Sequence, residues 1–143
     1  MSTKDFRPRL SGAKKVAFDN LTKKERRILV VGDIHAPFTL DGYLEFCKDV
    51  YDKYLCNQVI FIGDILDNHY SSYHETDPNG MSGADELEIA IAQVAEWSEA
   101  FPVADVIIGN HDRLIMRKAF SSAVPKEWIK SYNEVLGTNW NWT

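Results

Sequence analysis

The stretch Ile28-Leu29-Val30-Val31-Gly32-Asp33-Ile34-His35 decides the fold. Its first four residues are a short, mostly β-branched apolar run, held between Arg26-Arg27 and Gly32. A run of that length and composition predicts a β-strand buried on both faces. Two later stretches repeat the pattern, Val59-Ile60-Phe61-Ile62-Gly63-Asp64 and Val106-Ile107-Ile108-Gly109-Asn110. All three apolar runs end in Gly followed by a polar residue.

The intervals are helical. Residues 41–55 place Tyr43, Cys47, Val50, Tyr51 and Tyr54 on one face at helical spacing. Ser82, with Asp85 three residues on, has the form of a capping box, and Leu87, Ile91, Val94, Ala95 and Trp97 or Ser98 continue a stripe to Phe101-Pro102. The order β-α-β-α-β implies parallel strands joined by crossovers, hence an α/β fold with a parallel-type sheet and flanking helices. Residues 113–120 and 125–136 also read as helical, with Pro125 at a first turn and Gly137 as a C-cap. The stretch 64–80 reads as one long irregular loop, and a loop of that length in a compact domain usually has a function.

The composition fits this reading. A chain of 143 residues, 45% hydrophobic and 26% charged, is the size of one domain and excludes disorder or a fibrous repeat. No apolar run reaches the roughly 18 to 20 residues that span a bilayer, and MSTKDFRPRL lacks the apolar stretch of a signal peptide. The expectation is a soluble, cytoplasmic protein without membrane partners. Cys47 and Cys56 match neither a redox nor a zinc spacing and are expected to be reduced and partly buried. The net charge of -5 hides a split: residues 1–27 hold nine of the 16 basic and three of the 21 acidic side chains. Residues 1–27 therefore read as a basic leader and 28–143 as the α/β domain. A basic leader can contact nucleic acid, but without interleaved aromatics a solvated leader is favoured.

The three strand ends read Gly32-Asp33-Ile34-His35, Gly63-Asp64-Ile65-Leu66-Asp67-Asn68 and Gly109-Asn110-His111-Asp112. In open α/β sheets ligands bind beyond the carboxyl ends of the strands, where all three clusters fall. Asp33 and His35 sit two apart, so in an extended chain their side chains reach to one side and can grip one ion. Asp64 can bridge two cations with its two oxygens, and Asn110 adds a neutral carbonyl oxygen. Such a mixed oxygen and nitrogen set suits Mn²⁺, Fe, Zn²⁺ or Ni²⁺ better than Cu(I) or Mg²⁺. Each cluster alone is commonly a turn or a helix cap. Three at successive strand ends point to a site.

In the order DxH, GDxxD and GNHD, these motifs make residues 28–115 resemble the calcineurin-like metallophosphoesterases. The resemblance implies a hydrolase cleaving phosphomonoesters or phosphodiesters (a phosphatase or phosphodiesterase) by attack of a metal-bound hydroxide, with two divalent ions, manganese foremost. It implies that Asp33 and His35 bind the first ion, that Asp64 bridges, and that Asn110 binds the second. His111 then faces the phosphate as general acid, with Asp112 its orienting partner. Asp67 and Asn68 are expected to support the motif loop; His69 and His74, on the loop that leaves Asp64, are expected to line the substrate cleft or face solvent, the alternative being that they stand in for missing metal ligands.

The family pattern continues with a further His and a GHxH motif, and here His111 is the last histidine. The first ion keeps Asp33, His35 and Asp64, whereas the second keeps only Asp64 and Asn110. The expectation is a truncated domain, the first half of an αββα sandwich with one sheet face uncovered. The alternatives are a site and sheet completed by a second polypeptide or by homo-oligomerisation, or a non-catalytic metal-binding or regulatory module with a degenerate phosphoesterase fold. Trp140 and Trp142 are a large apolar load for a tail and should pack on this domain or a partner.

Overall fold

A computed structural model of the protein describes residues 25–143. The basic leader expected over residues 1–27 lies almost wholly outside the described residues. The elements run β1 (Ile28–Val31), α1 (Tyr43–Lys53), β2 (Gln58–Phe61), a 3-10 turn (His69–Ser71), α2 (Gly83–Ala100), β3 (Asp105–Val106), α3 (Leu114–Ser121), a second 3-10 turn (Lys126–Trp128), α4 (Tyr132–Leu136) and β4 (Asn141–Trp142). The four strands form one all-parallel sheet in the order β1-β2-β3-β4. The α/β architecture read from the strand signals is the one observed.

The strands are not buried on both faces. Leu29, Val31, Val59, Phe61 and Val106 face the core, whereas Ile28, Val30, Ile62 and Ile107 are 40 to 55% exposed. An apolar run without alternation fits a two-sided strand, but it cannot say whether both sides are covered among the described residues. On the covered face Phe61 packs against Trp97 of α2 and Trp140, with ring centroids 6.0 and 4.7 Å away. Each large apolar side chain buried there contributes roughly 1.5–3 kcal/mol.

The tail tryptophans pack on this domain. Trp140 is 2% exposed and its indole N–H donates to the Phe101 carbonyl, while Trp142 stacks on Tyr132 at 4.3 Å. Asn141 and Trp142 supply β4, a strand the apolar-run reading does not anticipate. The helix expected over 125–136 is split, because Ser131 caps a new helix. Its hydroxyl accepts from the Glu134 N–H, and Glu134 accepts from the Ser131 N–H in return. Gly137 ends α4 at φ 67°, as expected of a C-cap. In α2, Ser82 accepts from the Asp85 N–H and donates its own proton to the Asp85 carboxylate.

The buried stripe of α2 is Glu86, Ala90, Val94 and Trp97, whereas the expected Leu87 is exposed. Cys47 is buried and Cys56 half-buried, both free, and burial pushes the Cys47 thiol up to about 11. No helix among the described residues is long and apolar enough to cross a membrane.

Candidate metal centre

Two glycines bring the motif loops together. Beyond β2 and β3, a Cβ on Gly63 would stand 2.8 Å from the Gly109 Cα, and one on Gly109 would collide with the Asp64 carboxylate and amide nitrogen. Gly63 also has φ 101°, which side-chain-bearing residues rarely adopt. The Gly at each of these strand ends is therefore a steric requirement for close approach. Across that approach the His111 N–H donates to Asp64 Oδ1 at 2.9 Å.

The backbone then turns left-handed at Asp33 (φ 52°), His35 (φ 50°), Asp64 (φ 54°) and Asn68 (φ 50°). Such conformations cost non-glycine residues on the order of 1–3 kcal/mol each and cluster at functional sites. Asp33 and His35 thus converge through left-handed turns rather than through the extended chain expected of their spacing.

Asp112 clamps these turns. It is 1% exposed, its Oδ2 accepts from the N–H groups of Asp64 and Gly109, both at 2.9 Å, and its Oδ1 accepts from Leu66 at 3.0 Å. Burial pushes its carboxyl above the usual range, against the pull of those three donors, and the Asp64 charge adds to the rise. Both oxygens are committed to backbone, so the role expected of Asp112 as the orienting partner of His111 is corrected to that of a clamp between two loops.

Asp67 orients the imidazoles. His111 Nδ1 lies 2.6 Å from the Asp67 carbonyl oxygen. A carbonyl oxygen only accepts, so Nδ1 carries hydrogen and Nε2 is the free ring atom. His35 Nδ1 lies 2.8 Å from Asp67 Oδ1, and donation there leaves the His35 Nε2 lone pair free. That Nε2 faces Asp33 Oδ1 at 3.8 Å and Asp64 Oδ2 at 3.9 Å. The two rings meet edge to face, 4.7 Å between centroids.

Among the described residues, two groups of donors are compact enough to share an ion, Asp33 with His35 and Asp64, and His35 with Asp67 and His111. In the second, both Nδ1 atoms are already spent on Asp67, so the first is the candidate. It gathers two carboxylates and an imidazole with a directed lone pair, a donor set that fits a divalent cation.

The other expected residues scatter. Asn110 is exposed on the turn between Gly109 and His111. Asn68 donates from its side-chain amide to the His111 carbonyl at 3.0 Å. His69 and His74 are exposed, the His69 ring lying edge-on to Phe38 at 6.4 Å. Neither belongs to a compact donor group among the described residues, so neither supplements Asp64 and Asn110. A cavity of about 520 Å³ lies beside Asn68 and Tyr70, but its walls are largely apolar, as at Leu66, Ile115 and Leu136, and Asp33, His35 and Asp64 do not line it.

Glu86 is a residue the sequence reading missed. It is 5% exposed, and its oxygens accept from the His69 N–H at 2.7 Å and the Tyr70 N–H at 3.2 Å. The available signal was its spacing, four residues before Ala90 and eight before Val94.

A parallel α/β sheet whose strand ends gather acids and imidazoles defines a class, the α/β proteins that carry a candidate cation site beyond the carboxyl edge. Within that class, the model of the calcineurin-like phosphoesterase family matches residues 26–141, and the chain belongs to this family. The family is one of hydrolases acting on phosphate esters, and it typically binds divalent metals. No curated protein and no solved structure gives a significant match to the chain.

Proposed function

We propose that the chain is a metal-dependent phosphoesterase acting on phosphomonoesters or phosphodiesters, with residues 28–143 as its catalytic portion. One observation carries the reading: Asp67 holds both His35 and His111 as Nδ1–H rings, so that one Nε2 faces two carboxylates and the other stays free beside them. Asp33, His35 and Asp64 would hold the first cation, and Asp64 with Asn110 the second. A divalent cation, Mn²⁺ foremost and Fe, Zn²⁺ or Ni²⁺ otherwise, polarises a phosphoryl oxygen and lowers the pKa of water when bound.

The chain's own residues supply the rest. Asp64 Oδ1 accepts the His111 N–H, and its Oδ2 stands 3.9 Å from His35 Nε2, on the side of the first cation. That bond also ties the position of His111 to the cation site. With Nδ1–H held by the Asp67 carbonyl, only the imidazolium form of His111 carries a second proton, on Nε2; delivery of that proton to the leaving-group oxygen, which returns the ring to its Nδ1–H form, would be general acid catalysis. Asp112 holds the two loops in register during this transfer. His69, with Tyr70 beside it, is exposed on the adjoining turn, where a substrate's alcohol portion would lie.

Hydrolysis of a chromogenic phosphodiester with added Mn²⁺ tests the reading. Turnover that disappears in His111→Ala supports it; turnover unchanged in that variant overturns it. The second reading, a non-catalytic metal-binding module, is favoured by the lone pair of donors, Asp64 and Asn110, left for the second ion among the described residues. It predicts one tightly held ion per chain and no turnover.

A further inference from the structure

Glu86 is a buried acid whose two hydrogen-bond partners among the described residues are both backbone amides. It sits on the first turn of α2, heads the apolar stripe that continues as Ala90, Val94 and Trp97, and is 5% exposed. The acceptors of His69 and Tyr70 are its two oxygens, one each, at 2.7 and 3.2 Å. These amides open the 3-10 turn His69–Ser71, where the first N–H groups have no partner within the turn. A carboxylate at this point is a cap supplied from a distant helix, and charged acceptors make the stronger hydrogen bonds.

We infer that Glu86 is a positioning residue for His111, acting through the turn it caps; the inference rests on the phosphoesterase reading for its catalytic consequence. The chain of contacts is short. Asn68, immediately before the capped turn, is held left-handed at φ 50° and donates its side-chain amide to the His111 carbonyl. Asp67, one residue earlier, gives the carbonyl that receives the His111 Nδ1–H. Anchoring His69 and Tyr70 therefore fixes the end of the segment whose other members grip His111 at its backbone and its ring. Glu86 touches none of Asp33, His35 and Asp64, and Asp64 is held independently by Asp112. Its influence falls first on the His111 imidazole and reaches the cation donors only through Asp67, whose carboxylate also holds His35.

The test compares Glu86→Gln, which keeps one acceptor oxygen, with Glu86→Ala, which keeps none, in the full chain. Amide exchange at His69 and Tyr70 and the ring ¹⁵N signature of His111 are read by NMR, beside Mn²⁺ affinity, kcat and KM. Glu86→Ala is expected to lose protection at both amides and to shift the His111 signature away from the Nδ1–H form. It should lower kcat roughly 10-fold, with KM unchanged and a smaller loss of Mn²⁺ affinity. Glu86→Gln is expected to fall between the two proteins, which separates positioning from general destabilisation. An unaltered His111 signature in a folded Glu86→Ala protein overturns the inference, as does a loss of Mn²⁺ affinity equal to the loss of kcat. Lost protection and a shifted signature without turnover in any form, the parent included, would uphold the positioning and defeat the phosphoesterase reading.

Discussion

The two ends of the sheet are both polar, and they are built differently. At the amino end Asp105 receives hydrogen bonds from the side-chain amides of Gln58 at 3.1 Å and Asn141 at 2.9 Å, one to each oxygen. These three residues sit on strands β2, β3 and β4, and the amide bonds hold the Asp105 carboxyl below the usual range. At the carboxyl end, acids face acids and imidazoles, four residues adopt left-handed backbone, and a buried carboxylate is needed to hold the turns. Polar content does not distinguish the ends. Conformation and pairing do, because both oxygens of Asp105 are taken up by amide donors, whereas Asp33 and Asp64 flank a bare imidazole nitrogen at a distance that suits a shared cation.

The largest effect that can break this comparison is Asp64→Ala. It removes a cation donor and the acceptor of the His111 N–H, and it should abolish both Mn²⁺ binding and hydrolysis while the protein stays folded by circular dichroism. Retained hydrolysis would mean that the carboxyl end is ordinary polar surface. Asp112→Ala comes next. It leaves three N–H groups without their acceptor, so urea unfolding should show a loss of about 3 kcal/mol or more. A loss under about 1 kcal/mol would show that the clamp is dispensable.

Asp67→Ala sharpens the contrast. Freed from their carboxylate, the His35 Nδ1–H and the loop it anchors should cost roughly 10- to 100-fold in Mn²⁺ affinity or kcat, measured by titration and by initial rates. Equal values for variant and parent would break the link between Asp67 and the metal donors. Smallest is Asp105→Asn at the amino end, which should leave Mn²⁺ binding and turnover untouched. The folded Asp105 carboxyl is lowered from 3.8, so whatever stability it adds is complete above that value and is lost as the pH falls through the lower folded value. The Tm difference between variant and parent should therefore shrink under strong acid. A difference that grows there would contradict the assignment.

The strands and their motifs were legible because apolar runs ending in Gly-Asp or Gly-Asn state both a buried strand and the close approach that follows it. The open side of the sheet was not legible in the apolar runs, since Ile28, Val30, Ile62 and Ile107 look the same in sequence whether or not anything covers them; the expectation of an uncovered face came from the missing later motifs. The phase of α2 was missed because a carboxylate is ordinarily counted as solvent-facing, which removed Glu86 from the stripe and put Leu87 in its place. The split of residues 125–136 was available in Ser131-x-x-Glu134, a capping box inside the expected helix.

At the site, the gathering of Asp33, His35 and Asp64 within reach of one ion followed from residue type and strand position. The partner of His111 did not, because Asp112 is adjacent in the chain whereas Asp67 lies 44 residues away and uses its backbone carbonyl, which no side-chain pattern encodes. The left-handed turns were hidden for a similar reason. Asp and Asn tolerate that conformation, but His35 gives no such sign, and the turn is imposed by the loops packed around it.

The central claim is that Asp33, His35 and Asp64 form a divalent-cation site whose imidazole is held ready by Asp67. Titration of the full chain with Mn²⁺, counting bound ion by the loss of its free paramagnetic resonance signal, tests it most directly when the parent is set beside His35→Ala and Asn110→Ala. The account predicts a tight Mn²⁺ in the parent that persists in Asn110→Ala and disappears in His35→Ala. Tight binding that survives in His35→Ala, or a parent that binds no Mn²⁺, would contradict it.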